Sequence, residues 1–139
     1  MIRKSFVIPS ESKYLKSLRA KLLQFLKRMR HPLEDRDAIL VAVTEACTNS
    51  IRHAYSGENG HKIRVAVEDS KLRTVFRIRD YGQKIDLARV KAPELPPTKP
   101  HGLGIHFIKT MMDEVKYNTA HRRGNELVLI KYKNKRRSI

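Results

Sequence analysis

Apolar residues recur every three or four positions at Tyr14, Leu15, Leu18, Leu22, Phe25, Leu26 and Met29. That period lines them up on one stripe of a helix with a basic face opposite, and it predicts a first helix starting near Glu11. Ser10, just after Pro9, offers a side-chain oxygen to cap it. His31-Pro32 breaks this helix, and a second is predicted from about Glu34 to Tyr55, with Asp35 and Asp37 near its positive end. Gly57 to Gly60 closes it. Ile2 to Ile8 reads as a short edge strand. Two further β-rich runs, Lys62 to Glu68 and Leu72 to Arg79, flank Asp69-Ser70-Lys71, which suits a hairpin turn. Residues 87–101 hold Pro93, Pro96, Pro97 and Pro100 and are expected to form a loop. Leu103 to Met112 reads as a third helix, and Glu114 to Ala120 with Glu126 to Tyr132 as a last hairpin turning at Arg122-Arg123-Gly124.

Hairpins in place of regular β-α-β crossovers argue against a parallel sheet. The expected fold is α/β (α+β): a two-layer sandwich with a mixed, mostly antiparallel sheet of about five strands, covered on one face by about three helices. The 139 residues suit a single domain spanning 1–139. The apolar stretch Ala38 to Val43 is too short to cross a bilayer, and Pro9 with its charged neighbours interrupts any signal-peptide apolar region. A cytoplasmic protein is expected. Cys47, the one cysteine, sits among apolar helix residues and reads as inert packing.

Charge changes this picture. Thirty Lys and Arg against fourteen Asp and Glu give a formal net charge of +16, which would attract nucleic acid, anionic lipid or an acidic protein partner. It concentrates in the first helix and in the tail from Lys131 onward. No Trp is present, and no zinc-finger or ribonucleoprotein spacing supports a dedicated nucleic-acid module.

Three clusters carry candidate chemistry. In TEACTNSIRHAY, Glu45, Asn49 and His53 are four apart and project from nearly the same face of a helix that is otherwise apolar. A carboxylate with a carboxamide can bind hydrated Mg²⁺ and polarise a hydroxyl. The same spacing also suits residues that only line the solvent side of the helix. In RIRDYGQKID, Asp80 ends a β-rich run and Gly82 follows: the acid can accept from an exocyclic amine, and the glycine lets backbone approach a flat ring. A simple turn would look alike. In PHGLGIHFIKTMMDEV, Gly102 and Gly104 open a helix whose free N–H groups and dipole favour phosphate, or else form a hinge.

Their order and separation resemble the N, G1 and G2 boxes of the GHKL (Bergerat-fold) ATPase superfamily. EACTNSIRHAY, DYGQKID and GLGIHFIKTMMDEVKY are most similar to its small anti-sigma-factor serine/threonine kinases, over about residues 5–133. The resemblance implies ATP and Mg²⁺ as cofactors, with Asn49 as the metal ligand and Glu45 as general base on a substrate hydroxyl. It implies that Asp80 reads the adenine amino group and that Gly82 admits the ring. Gly102, Leu103 and Gly104 would hold the phosphates, and Arg52 and His53 would shape that end. Residues 86–101 would be a short ATP lid and 133–139 a basic tail. Lys84 departs from the pattern, standing where many members place a second glycine.

The implied partners are a small anti-anti-sigma protein of the STAS type, as phosphorylation substrate, and a sigma factor, bound by a homodimer. The alternatives are an ATP-sensing binding module without catalysis and a basic nucleic-acid-binding domain.

Overall fold

The computed structural model describes residues 1–86 and 100–133, of which 100–104 are described by their backbone alone. The lid and tail expected at 86–101 and 133–139 therefore lie almost wholly outside the described residues. Five strands, β1 (Ile2–Pro9), β2 (Lys62–Asp69), β3 (Arg73–Asp80), β4 (Glu114–Tyr117) and β5 (Asn125–Tyr132), form one sheet in the order β1-β2-β3-β5-β4. Every neighbouring pair is antiparallel, so the sheet is antiparallel throughout where a mixed one was allowed for. Helices α1 (Leu15–Leu26), α2 (Leu33–Asn49) and α3 (Pro100–Met111) complete the expected two layers.

One apolar core joins the layers. Leu18, Leu22 and Leu26, spaced four apart on α1, are buried with Ile39, Val43 and Cys47 of α2 and Ile105 and Ile108 of α3. The sheet contributes Ile63, Val65, Val67, Phe76, Ile78, Leu127 and Leu129. Burying each of the large aliphatic side chains stabilises the fold by about 1.5–3 kcal/mol. Helix α2 packs against both α1 and α3, so it is apolar on most of its circumference. Cys47 is fully buried, and burial pushes its thiol pKa up to about 12, which keeps it inert as expected.

Two local expectations fail. Ser10 does not cap the first helix: its hydroxyl donates to the Glu58 carbonyl at 2.8 Å and accepts from the His61 N–H at 3.2 Å. The tertiary partners at the end of β1 outcompete the local cap, and the helix instead begins with a 3₁₀ turn at Ser12–Tyr14. The helix expected to run to Tyr55 changes character after Asn49, where Ser50–Ala54 form a π turn. Helix α3 begins earlier than expected, with Pro100 at its first position, where a missing N–H costs nothing. Among the described residues, no helix is long and apolar enough to cross a membrane.

Candidate functional site

The C-terminal half of α2 carries Glu45 and Asn49 one turn apart, and the π turn follows at once. Such wide turns occur often at functional sites, because they let backbone and side chains depart from the regular helical lattice. Asn49 is buried, and its Oδ1 has no hydrogen-bond partner among the described residues. A buried acceptor without a donor costs about 1–3 kcal/mol and calls for a ligand or a role. Glu45 is half-buried, and its carboxylate has no hydrogen bond or ion pair among the described residues. Together they offer hard oxygen donors of the kind Mg²⁺ takes. Among the described residues no three His, Cys, Asp or Glu side chains converge as a metal cage. Mg²⁺ held together with substrate phosphates needs only one or two protein ligands, so the residues present fit such an ion.

Ser50 links this helix to the end of β3. Its hydroxyl donates to Asp80 Oδ2 at 3.0 Å. Asp80 is almost wholly buried, a position a carboxylate can hold only when its lone pairs are met. Its Oδ1 accepts from Gly82 N at 3.1 Å, Asn125 N at 3.2 Å and Asn125 Nδ2 at 3.0 Å. Oδ1 is thus saturated, while Oδ2 has one donor and keeps acceptor capacity. Asn125, at the start of β5, also donates to the Gln83 carbonyl at 2.9 Å and accepts from Ile85 N at 2.9 Å, which fixes the segment after β3.

Gly82 is forced by contact with the π turn. A Cβ there would lie 2.3 Å from the Ala54 carbonyl oxygen and 2.8 Å from the Tyr55 ring. Next to it, Gln83 N donates to the same Ala54 oxygen at 2.7 Å. Tyr55 ties three elements together: its hydroxyl accepts from Tyr81 N at 2.7 Å and donates to the Lys62 carbonyl at 2.6 Å. Gly124, at φ +72°, lets the turn before β5 approach the Asp80 carbonyl, where a Cβ would come within 2.2 Å.

The structure therefore brings Glu45, Asn49, Asp80 and Gly82 to one region through Ser50 and the π turn. Arg52 and His53 lie on that turn and are exposed. Gly102, Leu103 and Gly104 fall in the opening turns of α3. The first N–H groups of a helix lack intrahelical partners, and Pro100 has none to offer, so the free donors there begin at His101 and Gly102. Ser50, Tyr55 and Asn125 were not anticipated. Ser50 abuts Asn49 and Asn125 follows a turn glycine, but only tertiary pairing aims them at Asp80.

Residues 8–131 match the histidine kinase-like ATPase domain family. The serine-protein kinase RsbW of Bacillus velezensis is 31% identical over 137 residues, covering 91% of this chain and 83% of that protein. RsbW of Bacillus subtilis is 29% identical over 137 residues, with the same two shares of 91% and 83%. Two solved structures share the fold. The RsbU and RsbW domains of a Mycobacterium tuberculosis protein align with a TM-score of 0.68 at 16% identity, over 94% of this chain and 32% of that larger one. The Acinetobacter baumannii histidine kinase AdeS aligns at 0.55 and 15% identity, over 94% of this chain and 68% of that one. From sequence and fold together, the chain belongs to the histidine kinase-like ATPase domain family, within the GHKL superfamily and on the branch of the anti-sigma-factor serine kinases.

Proposed function

We propose that this chain is an ATP- and Mg²⁺-dependent serine/threonine protein kinase that also acts as an anti-sigma factor. Its substrate would be a small STAS-type anti-anti-sigma protein, its second partner a sigma factor, and its working form a cytoplasmic homodimer of one domain spanning 1–139. The observation that carries this reading is the buried Oδ1 of Asn49, without a hydrogen-bond partner among the described residues, one helical turn from Glu45 and adjacent in sequence to the Ser50 that binds Asp80. The names of the curated relatives support the choice of a serine-directed kinase.

Each residue then has a physical task. Asn49 Oδ1 would ligate Mg²⁺, which when bound neutralises phosphate charge. Asp80 would accept the adenine amino group on Oδ2, the oxygen with spare capacity, while Ser50, Gly82 and Asn125 hold the carboxylate in orientation. Gly82 would give the ring its flat approach. Gly102, Leu103 and Gly104 would bind phosphate through the backbone at the start of α3, with Arg52 and His53 shaping that end from the π turn. Glu45 would accept the proton of the substrate hydroxyl as its oxygen bonds to the γ-phosphorus, and the β,γ-bridging oxygen would leave on ADP. Phosphoryl transfer asks mainly for positioning and charge neutralisation, so this set suffices.

Calorimetric titration of ATP with and without Mg²⁺ tests the reading. Wild type should bind in an Mg²⁺-dependent manner and Asn49→Ala should not. Glu45→Gln should bind ATP normally and lose phosphate transfer to a serine acceptor by about 10²-fold or more. Folded wild type that binds no ATP would overturn the kinase reading. Normal turnover in Glu45→Gln would remove Glu45 as the base.

A further inference from the structure

Strand β1 ends the sheet, and among the described residues nothing pairs with its other edge. Ser10 N donates to the His61 carbonyl at 2.9 Å, which marks this as a hydrogen-bonded pair of the β1–β2 ladder. Such pairs recur at every second residue in an antiparallel ladder. Ile8, Phe6 and Lys4 therefore direct their backbone groups at β2, and Val7, Ser5 and Arg3 direct theirs outward. The free edge ends at Pro9, which has no N–H. Val7 is 51% exposed, so the edge is open to solvent.

Beside this edge, between β1 and α1, runs a groove of about 500 Å³. Its floor is apolar, with Phe6 and Phe25 in edge-to-face contact at 6.4 Å between ring centres. Its rim carries the cations Lys4, Lys21 and Arg28, and among the described residues no carboxylate lines it. None of these three cations is ion-paired among the described residues, although α1 and β1 together hold most of the chain's N-terminal positive charge.

We propose that this groove docks an acidic, extended segment of a partner protein, which adds to β1 as a sixth strand. The free edge supplies main-chain hydrogen bonds, the apolar floor takes alternate side chains, and the unpaired cations select carboxylates. Charge also decides against a second copy of this chain as occupant. The β1 sequence IRKSFVIP carries Arg3 and Lys4 and no acid, so pairing two such edges adds like charge to a groove that is already cationic. A concave site with an open strand edge suits a peptide better than a flat lipid surface or a phosphodiester backbone. The inference stands apart from the nucleotide site and needs no ATP.

The test is fluorescence anisotropy of a labelled octapeptide alternating glutamate with valine, titrated with the full chain without nucleotide. A lysine–valine octapeptide serves as control. The acidic peptide should bind, and Lys21→Glu with Arg28→Glu, the first exposed on α1 and the second exposed in the turn just after it, should weaken it about tenfold or more. The same charge change outside the groove, Lys16→Glu with Lys27→Glu, should leave binding within about twofold, which separates the groove from the general field of a +16 molecule. Val7→Pro, which deletes an outward N–H and no ladder bond, should also weaken binding, with circular dichroism confirming the fold. Equal effects of the two charge pairs would overturn the proposal, as would equal binding of both peptides. So would a dimer in sedimentation that Val7→Pro dissociates, or phosphatidylserine vesicles or single-stranded DNA engaging Lys21 and Arg28, while the acidic peptide fails to bind.

Discussion

At Asn49 the fold holds a buried carboxamide oxygen that meets no donor among the described residues, a state that costs about 1–3 kcal/mol. Truncation removes the unpaired acceptor, so Asn49→Ala should leave the urea midpoint unchanged or raised while it abolishes Mg²⁺-dependent ATP binding. A stability loss comparable to that of an ordinary core truncation would mean that the oxygen serves the fold. Gly82 behaves in the opposite way. The atom nearest its missing Cβ is the Ala54 carbonyl oxygen at 2.3 Å, which belongs to the backbone and cannot swing aside. Gly82→Ala should therefore destabilise by about 1–3 kcal/mol in urea unfolding, as overpacking does, and loosen the Asp80 network with it. A neutral Gly82→Ala would show that the π turn gives way easily.

His31 joins elements rather than serving one. It lies between α1 and α2, and its Nε2 is 2.7 Å from Thr74 Oγ1 on β3. The Thr74 hydroxyl donates to Asp69 Oδ1 at 2.7 Å, and with its proton used there its oxygen is left to accept from a protonated His31 Nε2. Its Nδ1 is buried and has no partner among the described residues. Burial first, then nearby Lys133 and Lys131, lower its pKa from 6.5 against the opposing pull of Asp35 and Asp69. The unfolded chain thus takes a proton that the folded chain resists. Stability from this site is complete above about pH 6.5 and declines as the pH falls below it. His31→Gln keeps a donor for Thr74 and does not titrate, so its unfolding free energy should vary less than wild type between about pH 7 and 5. Identical slopes would remove His31 as the source. This junction also shows what the chain's pattern could reveal. The stripe on α1, the break at His31-Pro32 and the shared face of Glu45 and Asn49 follow from a 3.6-residue period and are visible in one dimension. The π turn at Ser50–Ala54 has no such mark, because its residues fit the same period. The pairing of Ser50 and Asn125 with Asp80 spans 30 and 45 residues and exists only once β3 and β5 lie together. Ser10 gave a misleading local signal, since its capping preference yields to partners 48 and 51 residues away.

Across the whole molecule the excess of cations sets the conditions in which everything else operates. A chain of this length has a radius of gyration of about 14 Å. The Debye length is about 30 Å at 0.01 M salt and about 10 Å at 0.1 M, so at low salt each cation repels those across the entire molecule and at higher salt only its neighbours. The acids cannot offset this, because those paired in the structure, such as Asp69 with Lys133 at 2.7 Å and Glu68 with Arg77 at 3.7 Å, still leave a formal net charge of +16. The Asp69–Lys133 pair is nearly buried and little screened, whereas the exposed cations of α1 respond fully to ions. The thermal midpoint should therefore rise by a few degrees as sodium chloride increases from about 0.01 to 0.5 M, chloride being chosen over sulfate to avoid general salting effects. Over the same range, binding of an acidic peptide should weaken. A midpoint that falls with salt would mean that surface ion pairs outweigh self-repulsion, and the positive field would then have to be concentrated on faces where it does not oppose folding.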